Sequence, residues 1–63
     1  MPYTVRIKQT GTNWRVVYES HSYLICVHYA KTNIVHGNNV ERIEIHDLDG
    51  CVDTIYDKTW ENI

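Results

Sequence analysis

Tyr23-Leu24-Ile25-Cys26-Val27-His28-Tyr29-Ala30 decides the fold. The run is rich in β-branched and aromatic residues, which favour strands, yet its apolar spacing is helical. Tyr23, Cys26, Val27, Ala30 and Ile34 fall at i, i+3, i+4, i+7 and i+11, a stripe about 100° wide, with His28, Lys31 and Thr32 outside it. As a strand the segment would have no polar face over most of its length. Ser20 or Ser22 can cap the start, and Gly37 can take the left-handed position that ends a helix. The spacing predicts a helix within residues 20–37, held by packing because the intrinsic propensity of these residues is poor.

Upstream, Tyr3-Thr4-Val5-Arg6-Ile7-Lys8 alternates strictly, with Tyr3, Val5 and Ile7 on one face and Thr4, Arg6 and Lys8 on the other. Thr10-Gly11-Thr12-Asn13 supplies turn chemistry, after which Trp14, Val16 and Tyr18 alternate with Arg15, Val17 and Glu19. This is a β-hairpin. Downstream, Val40 to Asp57 reads as a second hairpin whose register follows from charge. An Asp49-Gly50 two-residue turn pairs Leu48 with Cys51, His46 with Asp53, Arg42 with Asp57 and Glu41 with Lys58. A four-residue loop over Asp47 to Gly50 instead sets Glu44 against Asp53, a like-charge pair, so the Asp49-Gly50 turn is expected.

Hairpin, helix and hairpin predict an α+β fold of order ββαββ: a four-stranded antiparallel sheet with one helix packed on one face. Tyr3, Val5, Ile7, Trp14, Val16, Tyr18, Ile43, Ile45, Val52 and Tyr56 are expected to point to the helix. The alternative is an all-β small barrel in which residues 23–30 form a strand.

At 63 residues there is room for one domain, spanning 1–63. A chain of this size buries only roughly 60% of the surface it exposes when unfolded, so a staple, a partner subunit or a tightly packed core is needed. Cys26 and Cys51 could be joined, but Met1-Pro2 leads directly into a strand with no charged and apolar leader, so a reduced pair and a cytoplasmic location are expected. No apolar run approaches the roughly 20 residues of a membrane span, and no membrane association is expected. Charge is lopsided. In residues 1–36, Arg6, Lys8, Arg15 and Lys31 stand against Glu19 alone, a net +3, whereas residues 37–63 carry a net −5. Such asymmetry bears on partner choice and encounter rate.

Trp14-Arg15-Val16-Val17 in the second strand, Ala30 and Gly37 in and after the helix, and Ile45-His46-Asp47-Leu48-Asp49-Gly50 at the last hairpin resemble a family of short, uncharacterised bacterial and phage domains with the same element order. The likeness covers most of the chain. It departs in the helix, where that family is rich in alanine and glutamate and this chain has Leu24-Ile25-Cys26-Val27-His28-Tyr29. The resemblance implies the fold and a bacterial or phage origin, and no chemistry.

Nucleophilic catalysis needs a nucleophile, a base and a group that orients the base. Cys51, His46 and Asp53 gather near one hairpin end, but a hairpin tip offers no pocket that excludes water; no enzymatic activity is expected. Cys26, His28, His21, His36, His46 and Cys51 could ligate a metal, yet no recognised zinc spacing is present. On a helix Cys26 and His28 point about 200° apart. Asp47-Leu48-Asp49-Gly50 matches the start of a calcium loop but lacks its later ligands. Neither a metal nor a cofactor is expected.

Three surfaces are left. Leu48, Cys51 and Ile55 are expected on the open sheet face, beside Val17, as an apolar protein interface. Arg6, Lys8 and Arg15 form a basic stripe on the first hairpin, and Glu44, Asp47, Asp49, Asp53 and Asp57 an acidic second hairpin. The leading expectation is a protein-binding domain, homodimeric or bound to a larger target, in a phage an inhibitor of a host protein or an acidic nucleic-acid mimic. Nucleic-acid binding through Arg6, Lys8 and Arg15 is the second reading, and a small metal-stabilised domain the third.

Overall fold

Alternation in the first strand carries through to burial, with Val5 and Ile7 inside and their neighbours partly exposed. The computed structural model describes residues 2–33 and 39–62. Over these the order is β1 (Tyr3–Gln9), β2 (Arg15–Ser20), α1 (Tyr23–Thr32), β3 (Val40–Asp47), β4 (Gly50–Asp57) and a short 3-10 helix (Lys58–Asn62). The strands form one antiparallel sheet in the order β2-β1-β3-β4. β2 and β3 both flank β1, so the chain crosses over β1 through α1. The sheet is open, with β2 and β4 as edges, which gives the ββαββ architecture and removes the barrel alternative.

The helical period prevails over β propensity because it buries a face. Cys26 and Ala30 are fully buried, and Tyr23, Val27 and Tyr29 pack around them. The Ser22 hydroxyl accepts a hydrogen bond from the Ile25 N–H at 3.3 Å, satisfying one free donor of the first turn. The helix closes at Asn33, whose N–H donates to the Tyr29 carbonyl at 2.9 Å, and Lys31 sits in the last turn where the helix dipole favours a cation. Ile34 and Gly37, expected to extend and end the helix, lie outside the described residues. Among the described residues no helix is long and apolar enough to cross a membrane.

The core joins Val5, Ile7, Cys26, Ala30, Val40, Ile43, Ile45 and Tyr56 between sheet and helix. Each fully buried aliphatic side chain contributes roughly 1.5–3 kcal/mol. Tyr18 stacks on Tyr29 with ring centroids 4.2 Å apart, and Tyr3 meets Tyr23 edge-on at 5.8 Å. These contacts tie the helix to β2 and β1.

Three expected core residues are exposed: Trp14, Val16 and Val52. Two residues expected on the open face, Val17 and Ile55, pack against the core instead. The cause is slippage of register in both edge strands. Val5 pairs with Tyr18 but Arg6 pairs with Val16, so Val17 is an extra residue in β2. In β4, Ile43 pairs with Tyr56 and Glu44 with Thr54, skipping Ile55; Ile45 pairs with Asp53 and His46 with Cys51, skipping Val52. A one-residue slip reverses the faces of everything beyond it. The second hairpin also turns elsewhere than expected. Asp47 pairs with Gly50, so Leu48 and Asp49 make the turn, with the Asp49 N–H donating to Asp47 Oδ1 at 2.7 Å. Gly50 takes φ 130°, a left-handed value that a side chain would strain. The two β4 slips restore the expected Arg42–Asp57 pair, while His46 faces Cys51 and not Asp53.

Candidate functional site on the open sheet face

With Ile43 and Ile45 buried beneath the helix, alternation along β3 sends Arg42, Glu44 and His46 to the opposite face. Their partners on β1 are Lys8, Arg6 and Thr4, and on β4 Asp57, Thr54 and Cys51. The face that the helix leaves open is therefore polar, and not the apolar surface expected from the sequence.

Glu44 lies at its centre and is only 8% exposed. A buried carboxylate is tolerated only with partners, and Glu44 has two. Its Oε2 takes an ion pair from Arg42 Nη2 at 2.8 Å, and its Oε1 lies 2.8 Å from His46 Nε2. Arg42 is itself held: Nη2 donates to the Thr54 hydroxyl at 3.2 Å, and Nε lies 3.8 Å from Asp57 Oδ2. Asp57 accepts hydrogen bonds from the Thr59 N–H and hydroxyl, and these, with Arg42 adding less, hold its carboxyl below the ordinary value. The result is a chain of charge and hydrogen bonds running along β3 and β4 into the 3-10 helix.

Cys51 completes a second grouping. One ligand-type atom from each of Glu44, His46 and Cys51 lies within 4.8 Å of the others. Asp53, which the expected register placed beside His46, is on the helix side, where it accepts a hydrogen bond from the Tyr23 hydroxyl. That bond, followed by burial, raises the Tyr23 pKa above its ordinary value. Cys26 is on the helix side as well, fully buried, with its thiol donating to the Tyr3 carbonyl; burial pushes its pKa up. The sheet separates the two cysteines, and both are free thiols. The Cys51–His46–Asp53 grouping is thus not assembled.

The remaining expected site residues divide in the same way. Leu48 is 67% exposed in the β3–β4 turn, and Cys51 is exposed on the open face. Val17 and Ile55 do not join them. Arg6 and Lys8 share the open face, but Arg15 pairs with Ile7 beyond the β2 slip and so falls on the helix-covered side, where it donates to Gln9 Oε1 at 3.3 Å. The basic stripe is split across two faces. Of the acidic residues, Glu44, Asp47, Asp53 and Asp57 each hold an internal partner, and Asp49 is exposed in the turn. His21 and His28 are exposed and apart from the cluster, and His36 lies outside the described residues. An open groove of about 450 Å³ lies beside the far end of this face, lined by Glu41, Arg42, Asp57, Lys58 and Thr59.

Sequence reasoning missed two things. The pairing of His46 with Cys51 follows from the Leu48–Asp49 turn, which sets Asp47 opposite Gly50, and the slip at Val52, which carries no glycine or proline to mark it, takes Asp53 to the helix side; only the Glu44-x-His46 spacing on one strand face was legible. Leu24 and Ile25, 73% and 50% exposed, are surface residues that none of the three expected surfaces includes. Scans against protein-family models, curated proteins and solved structures find no match to this chain.

Proposed function

We propose that this chain is a non-enzymatic protein-binding domain that engages its partner with one end of the sheet. The observation that carries the reading is that four exposed apolar side chains lie on elements that meet at that end. Tyr3 pairs with Ser20 and Thr4 with His46, so the start of β1, the end of β2 and the end of β3 share that end. The Leu48–Asp49 turn follows β3, and α1 begins at Tyr23, tied to Asp53 of β4. Leu24, Ile25, Leu48 and Val52, 46–73% exposed, accordingly lie towards that end of the sheet, on helix, turn and edge strand.

Isolated exposed aliphatics are ordinary on a protein surface, whereas several on adjoining elements mark a contact surface. A domain this small also gains stability by covering them. Charge mimicry of nucleic acid has less support, because four of the five acids named for it are committed to internal contacts.

The test compares the wild type with Leu24→Glu and Leu48→Glu. Both positions are exposed, so the fold is retained by circular dichroism. Sedimentation equilibrium measures self-association, and affinity capture from the native host measures association with other proteins. The reading expects each substitution to weaken whichever association the wild type makes by tenfold or more. A wild type that neither self-associates nor captures a protein would overturn it, as would variants that associate as the wild type does.

A further inference from the structure

We propose that Glu44, His46 and Cys51 form a binding site for one borderline-soft divalent cation of the zinc type, with its fourth coordination position open to solvent. The donor set is one carboxylate, one imidazole and one thiolate, the three ligand types that zinc accepts. They are mounted on two paired strands, Glu44 and His46 at i and i+2 on one face of β3, and Cys51 directly across from His46 on β4. A tetrahedral site with bonds of 2.0–2.3 Å sets its ligand atoms about 3.4 Å apart. The three atoms lie within 4.8 Å of one another, and closing to that spacing asks the half-buried His46 ring to turn and the exposed Cys51 thiol to leave the Asp53 carbonyl, to which it donates at 3.4 Å.

The carboxylate is already oriented as a ligand. Arg42 fixes Oε2 of Glu44 at 2.8 Å, which leaves Oε1 turned towards His46. Arg42 is anchored in turn by Thr54 and Asp57. Ligating carboxylates are characteristically held by such an outer layer of hydrogen bonds. In the absence of a cation, the His46–Glu44 hydrogen bond occupies the same two atoms; the cation takes its place between them. The thiolate and Glu44 offset the divalent ion and Asp57 offsets Arg42, while Arg6 and Lys8 on β1 add positive charge to the same face. The other thiol, Cys26, is buried beneath the helix and takes no part. This inference is independent of the apolar end, because none of the three ligands is needed for that contact.

Titration of the reduced protein with zinc, and separately with cobalt(II), tests it. The expected results are one equivalent bound, a rise in melting temperature with added metal, and a thiolate-to-cobalt charge-transfer band in the near ultraviolet. Changing a residue that merely supports a ligand costs 10–100-fold in metal affinity, so loss of a ligand should cost more than about tenfold. Cys51→Ser should therefore abolish the charge-transfer band and weaken zinc binding by more than that, and His46→Gln and Glu44→Gln should weaken zinc binding by a like factor. Cys26→Ser serves as the control and should leave both unchanged. Glu44→Gln is near-isosteric, and Cys51 is exposed, so at least the Cys51 variant retains the fold by circular dichroism. No saturable zinc binding, or binding that survives Cys51→Ser while Cys26→Ser removes it, overturns the proposal.

Discussion

Replacing Arg42 with alanine removes the main counter-charge from a carboxylate that is 8% exposed, and its cost can be bounded from the geometry. Cutting one partner from a fully buried pair destabilises by about 3–5 kcal/mol, whereas an exposed pair contributes about 0–1 kcal/mol. The Glu44 side chain is 11% exposed, close to the first limit, but Arg42 is 42% exposed and Glu44 keeps His46 as a second partner. A value of about 2 kcal/mol follows, between those limits. Against a total stability of roughly 3–9 kcal/mol for a chain of this length, that is a large fraction. Equilibrium urea unfolding, followed by the fluorescence of Trp14 and Trp60, should register it as a lowered midpoint with an unchanged slope. In thermal unfolding the same loss lowers the midpoint by roughly 8–16 °C. The cycle with Glu44→Gln isolates the charge: once the carboxylate is neutral, Arg42→Ala should cost about 1 kcal/mol less than it does alone. If Arg42→Ala unfolds within about 0.5 kcal/mol of the wild type, or the two substitutions simply add, the pair is not the organising contact of the open face.

The slip in β2 makes Val17→Asp destabilising by about 2 kcal/mol or more and Val16→Asp nearly neutral, the reverse of uninterrupted alternation; urea midpoints of the two variants discriminate. Tyr23→Phe removes a hydrogen bond to a carboxylate and should cost about 1 kcal/mol at neutral pH. Because the folded state raises the Tyr23 pKa above 10.0, this contact is at full strength below pH 10.0 and is lost as pH rises through the raised value. Unfolding of the wild type measured into the alkaline range should show that loss, and the Phe variant should lack it; equal pH slopes for the two proteins refute the assignment. Of the two thiols, only Cys51 should react promptly with a thiol reagent under native conditions, Cys26 becoming available on unfolding. Rapid titration of two thiols, or a Cys51→Ser protein that still reacts promptly, contradicts the placement of Cys26.

Order and class of the elements were legible because each has a strong periodic signal. The Tyr23, Cys26, Val27, Ala30 spacing outweighed β propensity, since a helix alone puts those four side chains against a sheet. The Arg42–Asp57 pair was legible from charge. What was not legible is where each strand slips. Val17, Ile55 and Val52 are themselves good strand residues, and nothing in their local sequence distinguishes a slipped position from a regular one. The slips are set by how a twisted sheet fits the helix across it, a tertiary effect. This explains why the errors came as a set. A slip at Val17 exchanged Val16 for Val17 in the core and carried Arg15 away from Arg6 and Lys8; the Leu48–Asp49 turn set Cys51 beside His46, and the slip at Val52 took Asp53 to the helix side.

The location of those slips also bears on how the protein can associate. β2 and β4 are the edges of the sheet, and each presents backbone donors and acceptors with no neighbour on one side. Strand addition at either edge needs an uninterrupted ladder. β2 is interrupted at Val17, and β4 at both Ile55 and Val52. Bulges bend a strand and increase its twist, which works against growth of the sheet by edge pairing. The proposed contact through Leu24, Ile25, Leu48 and Val52 is of another kind, made by exposed side chains of helix, turn and edge strand and independent of ladder register. The Ile55→Glu substitution, a natural choice to probe an apolar open face, would strike a residue packed against the core and destabilise the fold itself. Leu24→Glu and Leu48→Glu probe the contact while leaving the core intact. Association by edge pairing would survive both of these changes, and association through the apolar end would not.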